Sequence, residues 1–156
     1  MKNLLILVFL TTMSFASTYS IKYKGITLGK IDTLETLKDN YLKARVTNSI
    51  VRFMMRKDYF IFYDGEKPKS KKTKYKHDSK KILLALKTAM DEMPYHETIE
   101  IDKKRKIILK CQQKDSCTFD YFSNGSHNAS GTIEFQDGKF YKLVEKKSSL
   151  VIVLNK

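Results

Sequence analysis

The sequence predicts a mainly β protein: a curved antiparallel sheet or partial barrel of about eight strands, with one helix, residues 79–93, packed across it. Three observations carry this. Short segments alternate apolar and polar residues with a period of two, as in Tyr19-Ser20-Ile21-Lys22-Tyr23 and Leu42-Lys43-Ala44-Arg45-Val46. Asp137-Gly138 stands between two such segments and is a strong hairpin signal. One stretch, with Ile82, Leu83, Leu86, Ala89, Met90 and Met93, places apolar residues on a single helical face.

The chain begins with a short basic start, Met1-Lys2-Asn3, followed by an unbroken apolar run from Leu4 to Leu10. Ser14 and Ala16 then put small residues at the −3 and −1 positions of a cleavage site. Residues 1–16 therefore read as a secretory signal peptide, clipped near Ala16. The apolar run is short of the roughly 20 residues needed to cross a bilayer, which favours cleavage over anchoring. The expected product is a single β-rich domain, residues 17–156, that works in the periplasm or is secreted.

Within that domain, Thr18 to Lys24 is a half-buried strand, Gly25 permits a bend, and Ile26 to Thr33 pairs back with a possible bulge at Gly29. Tyr41 to Thr47 buries Leu42, Ala44 and Val46 by alternation. Asn48 to Arg56 fits either a helical turn carrying Ile50, Phe53 and Met54 or a strand. Tyr59-Phe60-Ile61-Phe62-Tyr63 is apolar on both faces, so it is either covered on both sides or lends one aromatic face to a cavity. Asp64-Gly65 ends it as a turn.

Residues 66–77 form a basic loop that carries Lys67, Lys69, Lys71, Lys72, Lys74 and Lys76 around Pro68. Dense like charge predicts an exposed, mobile segment there. Asp78 or Ser79 caps the helix, and Pro94 stops it. Lys80 and Lys81 at its start and Asp91 and Glu92 at its end oppose the helix dipole, so its apolar stripe must hold it. Strands follow at Thr98 to Ile101, Lys106 to Cys111, Cys117 to Phe122, Thr132 to Gln136, Lys139 to Val144 and Leu150 to Leu154.

Lysine and arginine number 30 against 17 acidic residues, a net charge of +13 that becomes +12 when Lys2 leaves with the leader. In a cytosolic protein such an excess points to nucleic acid. An exported chain meets lipid headgroups, lipopolysaccharide phosphates, acidic glycans or acidic proteins first, and nucleic acid is disfavoured. Cys111 and Cys117, the two cysteines, are expected to pair in an oxidising compartment. If their strands form a hairpin, both sulfurs point to the same side.

Little in the chain suggests catalysis. His77, His96 and His127 have no metal-ligand spacing, and HExxH, GxSxG, a glycine-rich phosphate loop and paired carboxylates are all missing. No cofactor or metal is expected. A Cys–His nucleophile would need a thiolate that pairing of the cysteines removes. Asn124-Gly125-Ser126 and Asn128-Ala129-Ser130 match the glycosylation pattern, although neither has an acidic residue two positions before the Asn.

The mature start Tyr19-Ser-Ile-Lys-Tyr-Lys-Gly25, then Leu28-Gly29, a strand ending at Asp64-Gly65, and Tyr75-Lys-His-Asp78 with Lys80-Lys81-Ile82 resemble an exported β-rich bacterial family, domain of unknown function 3108. The resemblance covers the first half of the mature chain; the second half departs from it. It implies a curved antiparallel sheet in the periplasm and supplies no catalytic residues.

The expectation is thus a non-enzymatic envelope protein that binds an amphipathic or anionic ligand such as a lipid or glycolipid. Lys67, Lys69, Lys71, Lys72, Lys74 and Lys76 would meet its charge, and Tyr59, Ile61 and Tyr63 with the helix would meet its apolar part. The alternative is an assembly factor that docks an acidic envelope protein through the same lysines and has a solid core.

Overall fold

The computed structural model describes residues 17–64, 73–76, 80–112 and 115–155, with the backbone alone described at 73–76. The expected leader, residues 1–16, lies outside the described residues. Eleven strands follow one another in the chain: β1 (Tyr19–Tyr23), β2 (Ile26–Ile31), β3 (Tyr41–Val46), β4 (Tyr59–Tyr63), β5 (Thr73–Lys76), β6 (Glu97–Asp102), β7 (Arg105–Gln112), β8 (Ser116–Ser123), β9 (Ser126–Gln136), β10 (Lys139–Glu145) and β11 (Leu150–Leu154). A 3-10 turn, Glu35–Asp39, and helix α1, Ser49–Met55, flank β3, and helix α2, Lys80–Asp91, follows β5.

All the strands belong to one sheet in the order β5-β4-β3-β2-β1-β11-β10-β9-β8-β7-β6. Neighbours are antiparallel except β4 and β5, which run parallel. The sheet does not close, and β5 and β6 are its edges. It is nevertheless strongly curved. Helix α2 touches β4 near one edge and both β7 and β8 near the other. Eight strand spacings separate β4 from β7, about 38 Å if the sheet were flat. A twelve-residue helix is only about 18 Å long, so the sheet must wrap around it.

Alternation explains why the strands pack this way. Ile21, Ile31, Leu42, Ala44, Ile107, Leu109, Phe119, Ile133, Leu143 and Ile152 all point to the concave face and are buried. Against them α2 sets Ile82, Leu83, Leu86 and Ala89 of the expected stripe together with Ala85, whereas Met90 is exposed and Met93 lies beyond the helix. The poorly placed Lys80 finds a partner: its Nζ lies 2.5 Å from Asp64 Oδ1 at the end of β4. Two turns along the same helix, Lys87 Nζ donates to Asn40 Oδ1 at 2.6 Å.

Three expectations need correction. Among the described residues the sheet has eleven strands rather than about eight, with two helices and a 3-10 turn rather than one helix. Helix α2 covers Lys80–Asp91, ending before Met93, whose φ of 42° is left-handed, and Pro94. The basic segment at 66–77 is not loop throughout, because Thr73–Lys76 forms β5. Pairing there runs through the backbone, and lysine-rich sequence is common on sheet edges because it deters further pairing.

A candidate ligand site beneath the first helix

Helix α2 fills the middle of the concave face, but the face extends beyond it toward the β1–β2 turn. Helix α1 covers that end. Seven residues are too few for a stable isolated helix, and Asn48 supplies what is missing. Its Oδ1 accepts the Val51 amide at 3.1 Å as an N-cap, and its Nδ2 donates to the Thr27 carbonyl at 3.3 Å. The amides of Thr47 and Asn48 both donate to the Leu28 carbonyl. That carbonyl is available because the β1–β2 register slips there: Ile21 faces Gly29 and Lys22 faces Thr27, leaving Leu28 as the extra residue of a bulge. Gly29 beside it permits close approach to β3, since a Cβ at that position would sit 2.3 Å from the Arg45 carbonyl oxygen.

Between α1 and the sheet lies a cavity of about 410 Å³. Ile21, Leu28, Ala44, Phe60, Phe62 and Leu150 line it from the sheet, and Val51 and Met55 close it from α1. Tyr23 and Ser148 complete the wall. Its lining runs from buried Ala44 to Tyr23, which is 40% exposed, so the cavity connects core to surface. Its volume falls within the ordinary range for small-molecule sites, about 300–1,000 Å³.

The residues singled out from sequence fall differently. Phe60 and Phe62 sit opposite Ala44 and Leu42 and share their concave face. Tyr59, Ile61 and Tyr63 therefore point to the other side of β4 and do not line the cavity. Ile61 is buried on that side, and Lys43 Nζ lies 4.3 Å from the Tyr59 ring centre. So β4 is covered on both faces and also lends an aromatic face to a cavity, through its even-numbered residues. Lys67, Lys69, Lys71 and Lys72 lie outside the described residues, and Lys74 and Lys76 belong to edge strand β5.

Cys111 and Cys117 face each other across β7 and β8 and form a disulfide buried in the core, far along the sheet from α1. His77 lies outside the described residues, and His96 is exposed. His127 Nε2 is 3.0 Å from Asp120 Oδ1 on the surface. Among the described residues no group of three or more His, Cys, Asp or Glu side chains is placed to hold a metal ion.

Sequence reasoning missed Ile21, Tyr23, Leu28, Ala44, Val51, Met55, Ser148 and Leu150 as site residues. It also missed the charge around them. The Lys24 amide donates to the Ser149 carbonyl at 3.1 Å, so the β1–β2 and β10–β11 turns lie side by side. These two turns carry Lys24, Lys146 and Lys147, all exposed and next to Tyr23 or close to Ser148 in the chain, and Arg52, Arg56 and Lys57 lie on and just after α1; among the described residues no cation lines the cavity itself. Two carboxylates are nearby. Asp58 is engaged by Arg52 Nε at 2.9 Å. Glu145 is buried and accepts the amides of Lys147 and Ser148 at 3.0 Å each, with the Ser148 hydroxyl as a third donor. The acid thereby fixes the turn that presents the two lysines.

An apolar cavity at an end of the fold rich in exposed cations suits a molecule with an apolar body and an anionic end. Comparison with protein-family models, with curated proteins and with solved structures finds no match for this chain.

Proposed function

We propose that the protein is an exported, non-enzymatic envelope protein that holds an amphipathic anion, a lipid or glycolipid. Its apolar group occupies the cavity beneath α1, and its phosphate or carboxylate meets Lys24, Lys146 and Lys147. The observation that carries this is an apolar cavity, lined by Phe60, Phe62, Val51 and Met55, whose Tyr23 and Ser148 belong to or adjoin turns that bear exposed lysines. The leader-like residues 1–16 support an envelope setting.

Organic extraction of the protein purified from its native envelope, followed by mass spectrometry, tests the proposal. A recurrent acyl-bearing anion that disappears from an Ala44→Phe variant, whose new ring would fill the cavity, is the expected result. An empty wild-type extract, together with no uptake of an added fluorescent fatty acid, would overturn it. The alternative, an assembly factor docking an acidic protein, calls for a solid core; Ile82, Leu83, Ala85, Leu86 and Ala89 do fill the space between α2 and the sheet, so the ligand reading rests on the separate cleft beneath α1 alone. An assembly factor would show itself as salt-sensitive co-purification of a protein.

A further inference from the structure

The outer surface of α1 is the most unusual surface among the described residues. Ile50, Phe53 and Met54 are 69%, 84% and 76% exposed, although their spacing is that of an ordinary buried helical face. Their neighbours Val51 and Met55 are the ones turned inward, over the cavity. Ile26, on the adjoining end of β2, is 59% exposed and extends the apolar surface toward the β1–β2 turn. Scattered exposed apolar residues need no explanation, but several large ones on two turns of one short helix do.

The same end of the molecule carries Lys24, Arg52, Arg56, Lys57, Lys146 and Lys147, while its two carboxylates are already engaged within the fold. Protruding apolar side chains at an end rich in exposed cations match the boundary of an anionic bilayer: acyl chains accept the former, and headgroup phosphates the latter. No helix among the described residues is long and apolar enough to cross a membrane, so the contact would be interfacial.

We infer that α1 is a membrane-docking element, which inserts Ile50, Phe53 and Met54 into the surface of an anionic bilayer while Lys24, Arg56, Lys146 and Lys147 contact its headgroups. The inference goes beyond ligand binding, because it stands on the exposure and charge of α1 and not on what fills the cavity.

Co-sedimentation of the purified protein with phosphatidylethanolamine vesicles, with and without phosphatidylglycerol, tests this. The wild type should bind the phosphatidylglycerol vesicles and release them at high salt. The triple variant I50S/F53S/M54S, altered only at exposed positions, should bind at least about tenfold more weakly with an unchanged unfolding midpoint. The charge variant K24E/K146E/K147E should lose the preference for anionic vesicles. The Ala44→Phe variant should bind them like wild type, which separates docking from cavity occupancy. Wild-type protein that ignores both vesicles, or a triple serine variant that binds as well as wild type, would overturn the inference. So would a dimer that the triple variant dissolves without any vesicle binding, since a second copy would then be what covers α1.

Discussion

The Lys24 amide donates to the Ser149 carbonyl across 3.1 Å, joining two turns that lie 125 positions apart in the chain. Through that bond the β1–β2 and β10–β11 turns form one platform. Beside it Asn48 anchors α1 to the bulge at Leu28. The cavity, the exposed lysines of the two turns and the protruding face of α1 are therefore consequences of one local arrangement, at the end of the sheet that α2 leaves uncovered.

Asn48→Ala should release α1. The variant loses an N-cap and the link to the Thr27 carbonyl, at a cost of about 1 kcal/mol in global stability. Hydrogen exchange should show the effect first at the amides of residues 51–55, with β7 to β9 unchanged. Uniformly faster exchange across the sheet would mean that α1 is structural support for the whole fold.

Gly131→Ala should be costly despite adding one methyl group. A Cβ there would lie 2.3 Å from the Phe119 ring and equally close to the Val144 carbonyl oxygen. Phe119 is buried at 1% exposure and cannot swing away, so overpacking should cost about 1–3 kcal/mol in urea unfolding. An unchanged midpoint would show that β8 and β9 are less tightly packed than described.

Removing the disulfide with C111A/C117A should lower stability by about 2–3 kcal/mol, the chain-entropy effect of closing so short a loop. Ligand uptake should persist, because the bridge lies across β7 and β8, away from α1. Loss of uptake in a variant that remains folded would contradict that separation.

Glu97 gives a pH-dependent prediction. Desolvation, and then the neighbouring Glu92, raise its carboxyl pKa above the ordinary value. Between the unfolded and the raised folded pKa the native chain holds a proton that the unfolded chain has lost. The contribution of this group to stability therefore falls as pH rises through that window. In a carboxyl NMR titration, Glu92→Gln should move the Glu97 midpoint down only part of the way, because the desolvation remains. A full return to the ordinary value would assign the shift to Glu92 alone.

Much of the sheet is legible in the sequence, because strands such as β3 and β7 bury one face and leave the other to lysine and arginine. The first half of β9 is hidden, since Ala129 and Gly131 stand where larger core residues would signal a strand. Gly131 is small because the Phe119 ring occupies its space. Strand β5 is masked by its lysines, which say nothing about backbone pairing. At the site, five consecutive apolar residues in β4 carry no periodicity, so sequence alone cannot choose between Phe60 and Phe62 and their odd-numbered neighbours. The pairing to Leu42 and Ala44 makes that choice. Helix α1 inverts the usual rule: its regular apolar stripe faces outward, and local rules tend to fail where a surface has a task beyond folding.

Titration of the purified protein with a fluorescent fatty acid, alongside Ala44→Phe and Val51→Trp, decides whether the space beneath α1 holds a ligand. The wild type should take up one molecule per chain saturably, and both cavity-filling variants should lose uptake with their folds intact by circular dichroism. Equal uptake by all three proteins, or none by the wild type, would contradict ligand binding there.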